Sequence, residues 1–334
     1  MRTIDAAMKA AASEGQHDRS DFSLRFFIFI VIRSTFLRLK RICKFLEMIF
    51  KCGFFSTDYC KLLRLYAYAM LFMLSGRSLR VGAYLYILFI LTLIGGVMGS
   101  FITCFSWRHI HGESVLKGRS HCDHCGAVLG PAELVPVFSY LCQRGKCRHC
   151  GTMIAPDSTI AEGILMLLFP LIYMRFGFTI LTLRTMLLAV VLMGISLIDL
   201  KTYEIPDGLQ AVGILIYILS LVLMGWEGIG VRLLSGLTAA AVPAGVMLVL
   251  SLVMDKVLGK ESLGGGDIKL FFMTGLYLTP WEALFNVILA CFMGLFSAVI
   301  LRRERIPFGP SIAAAGMLSI LFGGLWVSWY LGLF

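Results

Sequence analysis

The sequence predicts an all-α membrane protein that crosses the bilayer about eight times and carries one small cysteine-rich loop. Of its 334 residues, 58% are hydrophobic and only 15% are charged, whereas soluble domains are about 45–50% apolar and about 25% charged. The apolar residues fall into long runs separated by polar stretches, which is the pattern of helices that span a membrane. The longest polar stretch after residue 80 contains two C-x-x-C pairs, a pattern that favours metal binding.

Residues 1–80 form a basic N-terminal extension whose role the sequence does not define. The extension carries 14 Lys and Arg against 6 Asp and Glu, which is most of the formal net charge of +10. Its apolar runs, Phe26–Ile32 and Leu62–Leu74, are shorter than a spanning helix. We expect either a basic amphipathic segment that lies on the membrane or an extension without a catalytic role. Basic residues beside apolar segments mark the cytoplasmic membrane face, so this charge does not imply a nucleic-acid partner.

The first transmembrane helix is predicted at Val81–Phe105. Its small residues, Gly95-Gly96 and Gly99-Ser100, would allow another helix to pack closely against it. Residues 106–158 are then expected to form a polar loop, and residues 159–334 a second, larger helical domain within the membrane.

The loop is predicted to hold a structural zinc ion. Its two C-x-x-C pairs are separated by 21 residues, just above the usual zinc-ribbon spacing of about 15–20. Each pair can present two thiolates, and two pairs complete a closed tetrahedral site without an open catalytic position. The expected ligands are Cys122, Cys125, Cys147 and Cys150. Four reduced cysteines without a metal are the alternative.

Six apolar segments and a shorter one follow the loop. They are predicted at Thr159–Tyr173, Leu181–Ile198, Leu209–Trp226, Leu233–Met254, Ile268–Thr279, Ala283–Leu301 and Gly309–Phe334. Ile268–Thr279 is too short to span the bilayer, so we expect it to be tilted, half-inserted or enclosed by neighbouring helices.

The basic residues of the loops set the expected orientation. Alternating helices bring most of them to one side: Arg108, Lys117, Arg119, Arg144, Lys146, Arg148, Lys201, Lys256, Lys260, Lys269, Arg302, Arg303 and Arg305. Arg175 and Arg232 are the main basic residues of the other side. The positive-inside rule makes the side with the cysteine loop cytoplasmic. This topology places residue 80 outside, which the basic extension opposes, and the sequence leaves that conflict open.

Two aspartates are expected at the cytoplasmic ends of their apolar segments. Asp199 ends the third helix, and Asp267 follows the glycine run Gly264–Gly266, where the backbone can approach a helix or an extended substrate closely. Carboxylates at the membrane edge are costly and indicate function. Two that converge share one proton, which supplies one general base and one general acid. An ion-coupled transporter, or simple capping by each aspartate, remains open from the residues alone.

A second acidic position, Asp207, is interpreted as structural. Pro206 ends the preceding loop, and Asp207 is predicted to cap the helix that follows.

The order of these motifs resembles the type IV prepilin peptidase family, whose members are the leader peptidases and N-methyltransferases of pilus and type II secretion systems. The matching segments are Gly99-Ser100-Phe101, Leu134–Tyr140, Arg144–Cys150, Glu162, Asp199 with Pro206-Asp207, Gly264–Leu270 and Ile306–Pro310. The resemblance covers about residues 81–334.

The resemblance implies a Gly-x-Gly-Asp intramembrane aspartyl protease in which Asp199 and Asp267 are catalytic. Gly264, Gly266, Pro206 and Asp207 would support them. Its substrates would be prepilins or pseudopilins, cut at the cytoplasmic face of the bacterial inner membrane after a leader that ends in glycine. The new amino terminus, typically phenylalanine, would be methylated from S-adenosylmethionine, an activity associated with members that keep the cysteine loop.

One segment departs from the family pattern. Members usually read Asn-Val-x-x-x-Arg-Leu-Pro after the first helix, whereas this chain differs over Ile102–Ile110. A relative with peptidase activity alone is therefore an alternative, as are the transporter and a non-enzymatic scaffold for pilus assembly. The sequence defines neither the residues that bind the methyl donor nor the oligomeric state.

Overall fold

The computed structural model describes residues 79–332 apart from 115–119, 131–132, 134, 260–262 and 302–306. Within these ranges the chain is helical, and the cysteine loop adds only two isolated β-bridges. The predictions for residues 1–78 lie outside the described residues. The same holds for Lys117, Arg119, Leu134, Lys260, Arg302, Arg303, Arg305 and Ile306.

The membrane domain is built from helices of unequal length. In chain order, the helices of the described residues are α1 (Leu79–Ile110), α2 (Phe138–Cys142), α3 (Asp157–Phe176), α4 (Ile180–Thr202), α5 (Asp207–Leu223), α6 (Ile229–Leu258), α7 (Gly265–Gly275), α8 (Pro280–Leu301) and α9 (Gly309–Leu331). Among them α1, α3, α4, α6, α8 and α9 are long and apolar enough to cross a membrane. The apolar α5 is slightly shorter, and α7 has 11 residues. The predicted multi-pass all-α fold is thereby confirmed.

Most helix bounds differ from the predicted ones by a few residues, and three of these differences matter for function. Helix α1 continues to Ile110, so Trp107 and Arg108 belong to the helix and not to the loop. Helix α4 includes Asp199 in its last turn, and α7 includes Asp267 in its first turn. The apolar runs end at Phe105 and Ile198 and begin at Ile268, but helical hydrogen bonds also continue through the neighbouring polar residues. Helix α4 ends only where Tyr203 adopts a left-handed conformation with φ 57°.

Helix α4 is central in the bundle. It packs against α3, α5 and α9, and its side chains Leu188, Leu192 and Ile195 are almost fully buried. By contrast, α6 and α8 expose many large apolar side chains. Such a surface is expected where a helix contacts lipid.

The predicted close packing of the first helix is confirmed. A Cβ atom added to Gly95 would overlap the backbone of Leu165, and one added to Gly99 would overlap the backbone of Glu162. Helices α1 and α3 therefore approach each other closely at the base of the cysteine loop, as small residues allow.

The cysteine loop and the end of α4 that carries Asp199 lie at the same end of the bundle. Asp157, the first residue of α3, directly follows the loop. Its Oδ2 atom pairs with Lys201 Nζ in the last turn of α4 at 2.9 Å. The cysteine loop and the aspartate site therefore lie at the same end of the described helices.

Candidate active site

Asp199 is a buried carboxylate bound to the start of another helix. Its side chain is 4% exposed, and its Oδ2 atom accepts a hydrogen bond of 2.8 Å from the Gly309 N–H at the beginning of α9. The first N–H groups of a helix have no partner within the helix, and the helix dipole favours negative charge there. Helix α9 therefore holds and stabilises the Asp199 carboxylate.

The absence of a side chain at Gly309 leaves room for this contact. A Cβ atom at position 309 would lie 2.7 Å from Asp199 Oδ2, closer than real Cβ atoms approach such a neighbour. Gly309 belongs to the segment Ile306–Pro310 that resembles the family, but the sequence does not indicate its role. Its contact with a residue 110 positions away could not be found from local spacing.

Asp267 lies in the first turn of α7 and is half-buried. Its backbone N–H donates to the carbonyl oxygen of Gly264 at 3.0 Å. The carboxyl groups of Asp267 and Asp199 are near enough to interact electrostatically. Residues 68 positions apart in the sequence thus contribute to one acidic site, as the alternating topology predicts.

The glycine run before Asp267 has a narrower role than predicted. A Cβ atom at Gly266 would lie 3.1 Å from Ile205 Cβ, whereas the position of a Cβ at Gly265 is open. A Cβ at Gly264 would lie 3.2 Å from Oδ2 of Asp267. Gly266 therefore allows the chain before α5 to pack on α7, and Gly264 leaves space for the aspartate.

The segment before α5 and the start of that helix hold α7 in place. The Nε2 atom of Gln210 donates a hydrogen bond of 3.4 Å to the Gly266 carbonyl oxygen. The sequence does not indicate this contact, because a single polar residue in an apolar helix has several ordinary explanations.

The capping prediction for Asp207 is wrong in its detail. Pro206 occupies the N-cap position of α5, and no side-chain capping hydrogen bond is present there. Asp207 is instead the first helical residue, and its Oδ1 atom pairs with Lys269 Nζ at 2.8 Å. Both side chains are exposed, so Asp207 joins α5 to α7 on the surface.

The four predicted metal ligands converge. The sulfur atoms of Cys122, Cys125, Cys147 and Cys150 lie within 4.8 Å of one another, and those of Cys122 and Cys150 are 3.9 Å apart. Zn–S bonds of about 2.3 Å in a tetrahedron place the sulfur atoms about 3.8 Å apart. This four-cysteine cluster therefore fits a four-coordinate zinc ion.

The two cysteine turns have the same backbone structure. In each, the N–H of the glycine after the second cysteine donates to the carbonyl of the first cysteine at 2.9 Å. The glycines, Gly126 and Gly151, have φ of 69° and 72°, which glycine adopts without strain. One bridge closes each turn, His121 with Val128 and Lys146 with Met153. The loop thus presents two equivalent pairs of thiols to one point.

The chemistry of Cys150 also suits a metal. Hydrogen bonding to the Thr152 hydroxyl and backbone lowers the pKa of the Cys150 thiol to about 6. Desolvation and the neighbouring cysteine thiols raise the pKa of the Cys125 thiol to about 11, so the four thiols do not ionise alike. A thiolate is the form that binds metal ions.

Fold and site together define a multi-pass helical membrane protein with a paired-aspartate site beside a four-cysteine cluster. Residues 93–176 match the family model of the bacterial peptidase A24 N-terminal domain. Residues 186–299 match the model of the type IV leader peptidase family.

Curated relatives agree with these models. The chain is 30% identical to a prepilin leader peptidase/N-methyltransferase of Bacillus subtilis, covering 72% of this chain and 97% of the relative. It is 32% identical to a protein of the same name from Aeromonas hydrophila, over 65% of this chain and 76% of that one. A protein of Escherichia coli named "Type 4 prepilin-like proteins leader peptide-processing enzyme" is 28% identical, over 71% of this chain and 94% of that protein. No solved structure matches the chain. The protein belongs to the type IV leader peptidase family.

Proposed function

We propose that the protein cleaves the leader peptides of prepilins or pseudopilins and then N-methylates the new amino terminus. The observation that carries this proposal is the Asp199–Asp267 pair, in a chain that aligns with 97% of a prepilin leader peptidase/N-methyltransferase. The paired carboxyls supply the acid and base that peptide hydrolysis needs.

The aspartates act as one titrating unit that shares a proton. The ionised carboxylate removes a proton from water, whose oxygen attacks the carbonyl carbon of the scissile peptide bond. The protonated carboxyl donates its proton to the leaving nitrogen as the C–N bond breaks. The hydrogen bond from Gly309 fixes the position of Asp199 during these proton transfers.

Zinc in the four-cysteine cluster would hold the cysteine loop in shape. Its ligands would be Cys122, Cys125, Cys147 and Cys150, and with four thiolates it would have no open position for substrate. Its contribution is therefore structural, and the methyl group would come from S-adenosylmethionine.

We expect the purified protein to contain about one zinc ion per chain, because four converging thiolates form a closed tetrahedral site. Elemental analysis by mass spectrometry measures this content. Cys122→Ser or Cys147→Ser should remove most of the zinc, whereas Cys142→Ser, at an exposed cysteine of the same loop, should retain it. Zinc that is unaffected by either ligand substitution would contradict this assignment.

The aspartate site and the loop face the cytoplasm of a bacterial inner membrane in this proposal, and α6 and α8 contact membrane lipid. The excess of basic residues in the loops at this end supports the orientation.

Thiol labelling tests the orientation. A membrane-impermeant maleimide added to intact spheroplasts should label the variant Glu227→Cys, in the connection between α5 and α6, more than the wild type. Labelling of Cys142, measured as the signal lost in Cys142→Ala, should appear only after permeabilisation. Both positions are exposed on the protein, so access depends on the side of the membrane. Labelling of Cys142 in intact spheroplasts would contradict the proposed orientation.

The activity is tested with the full-length protein in liposomes and a prepilin whose leader ends in glycine before phenylalanine. We expect cleavage at that bond, and a product heavier by one methyl group when S-adenosylmethionine is present. Intact-protein mass spectrometry reads both results. Cleavage without methylation would support the peptidase activity and contradict the methyltransferase activity. If the folded protein does not cleave this prepilin, the proposal is contradicted.

A further inference from the structure

We propose that a cavity between α1, the cysteine loop and α3 binds the methyl donor, S-adenosylmethionine. The cavity has a volume of about 220 Å³ and is separate from the aspartate site, because its walls come from α1, the loop with α2, and α3. This inference rests on the proposed N-methyltransferase function and assigns that function a location.

The cavity is built from the parts of the chain that surround the four-cysteine cluster. Representative wall residues are Thr103 and Trp107 of α1, Asp123 and Glu133 of the loop, and Ser158 and Glu162 of α3. Asp123 lies between the cluster residues Cys122 and Cys125, and Ile154 follows the second cysteine turn. The fold of the two cysteine turns therefore determines the shape of one wall.

The aromatic wall suits the adenine ring and the positive sulfonium. The Trp107 indole stacks on His111 with ring centroids 4.0 Å apart, and it lies nearly perpendicular to the His121 ring with centroids 5.3 Å apart. An indole held in this way presents a fixed surface for a heteroaromatic ring. Trp is also the aromatic side chain that attracts a nearby cation most strongly.

Acidic groups in the other walls suit the positive charges of the donor. Glu162 is 6% exposed; its Oε2 accepts a hydrogen bond of 2.8 Å from the Val137 N–H, and its Oε1 accepts one of 3.0 Å from the Ser158 hydroxyl. A carboxylate has about four acceptor positions, so Glu162 retains capacity for a ligand. With Asp123 and Glu133 it makes a lining that favours a sulfonium and an ammonium group.

Arg108 gives the cavity a group of the opposite charge. It is buried and lines the same space, and its Nη1 donates to the Ser114 carbonyl oxygen at 3.5 Å. A guanidinium carries five N–H donors and is suited to bind a carboxylate as well. The donor carries a carboxylate at the end of its methionine part. An aromatic surface, acidic groups and one arginine thus correspond to the chemical parts of S-adenosylmethionine.

Direct binding tests the inference without relying on activity. The protein in nanodiscs is dialysed to equilibrium against radiolabelled S-adenosylmethionine, and Kd is measured for the wild type, Trp107→Ala and Glu162→Gln. We expect Kd to rise about tenfold or more in Trp107→Ala, because stacking on an aromatic side chain contributes strongly to the binding of a base. Glu162→Gln keeps the side-chain shape and should raise Kd severalfold.

Matched controls separate the cavity from general effects of substitution. Trp281→Ala removes an exposed tryptophan of α8, and Glu227→Gln neutralises an exposed glutamate between α5 and α6. Both should bind the donor as the wild type does. Prepilin cleavage and zinc content, measured on every variant, show that the folded structure is retained.

Donor affinity that is unchanged in both cavity variants would overturn the inference, even if the wild type methylates its product. In that case the proposed function stands and the donor binds elsewhere. A wild type that cleaves but neither binds the donor nor methylates would overturn the methyltransferase part of the proposed function together with this cavity. Weaker binding in the two cavity variants alone supports the assignment.

Discussion

Replacing Asp199 or Asp267 by Asn is expected to lower the rate of prepilin cleavage by about 10³-fold, because each substitution removes one partner of an acid–base pair. Asn has nearly the same shape as Asp, and its carbonyl oxygen can still accept the hydrogen bond from Gly309 that Asp199 receives. The loss should therefore arise from chemistry and not from unfolding. Initial cleavage rates in liposomes, with thermal unfolding of each variant, measure both effects.

Asp207→Asn is the matched control for these substitutions. Asp207 also lies near the start of α7, where it pairs with Lys269, but exposed ion pairs contribute only about 0–1 kcal/mol to stability. Its cleavage rate should stay close to that of the wild type. Cleavage at close to the wild-type rate after substitution of both Asp199 and Asp267 would contradict the aspartyl mechanism.

Gly309→Ala is expected to reduce kcat for cleavage by about 10²-fold, because displacement of a catalytic group by about 1 Å can cost that much. The added methyl group would meet Asp199 Oδ2 at 2.7 Å, so either the carboxylate or the start of α9 must move. The hydrogen bond between Gly309 and Asp199 would then lengthen or break. Single-turnover cleavage rates at saturating prepilin isolate this effect from substrate binding.

Gly208→Ala controls for the general effect of a larger residue near the site. Gly208 follows Asp207 in α5, and a Cβ atom at that position would meet no atom within 4 Å. Alanine is favoured over glycine in a helix by about 1 kcal/mol, so this variant should cleave normally and unfold no more easily. Equal rates for Gly309→Ala and Gly208→Ala would show that Gly309 does not position Asp199.

Hydropathy was sufficient to predict the helical membrane fold and the shared location of Asp199 and Asp267. Long apolar runs fix the number of crossings, and alternation then fixes which helix ends share a side. The spacing of the cysteines predicted their cluster for a similar reason, since each C-x-x-C turn is a local structure. Each of these features follows from local patterns, namely apolar runs and C-x-x-C pairs, and from the order in which they occur along the chain.

The contacts that complete the two sites depend on packing between distant segments. The hydrogen bond from Gly309 to Asp199 joins the start of α9 to the end of α4, and no local pattern encodes it. The apolar run ends before Trp107 and so predicts a loop position for it, yet Trp107 belongs to α1 and lines the wall of the cavity. Asp207 likewise forms an ion pair with Lys269 instead of the expected helix cap. This ion pair depends on how α5 and α7 pack, which the sequence does not indicate.

The most direct test of the two-aspartate site compares Asp199→Asn, Asp267→Asn and the double variant in one prepilin cleavage assay. If the pair acts as a unit, either single substitution disables it, and all three proteins should cleave at the same residual rate. Two results would contradict the two-aspartate site. In one, the activation free energy of the double variant rises by the sum of the rises in the two single variants. In the other, either single variant keeps most of the wild-type rate.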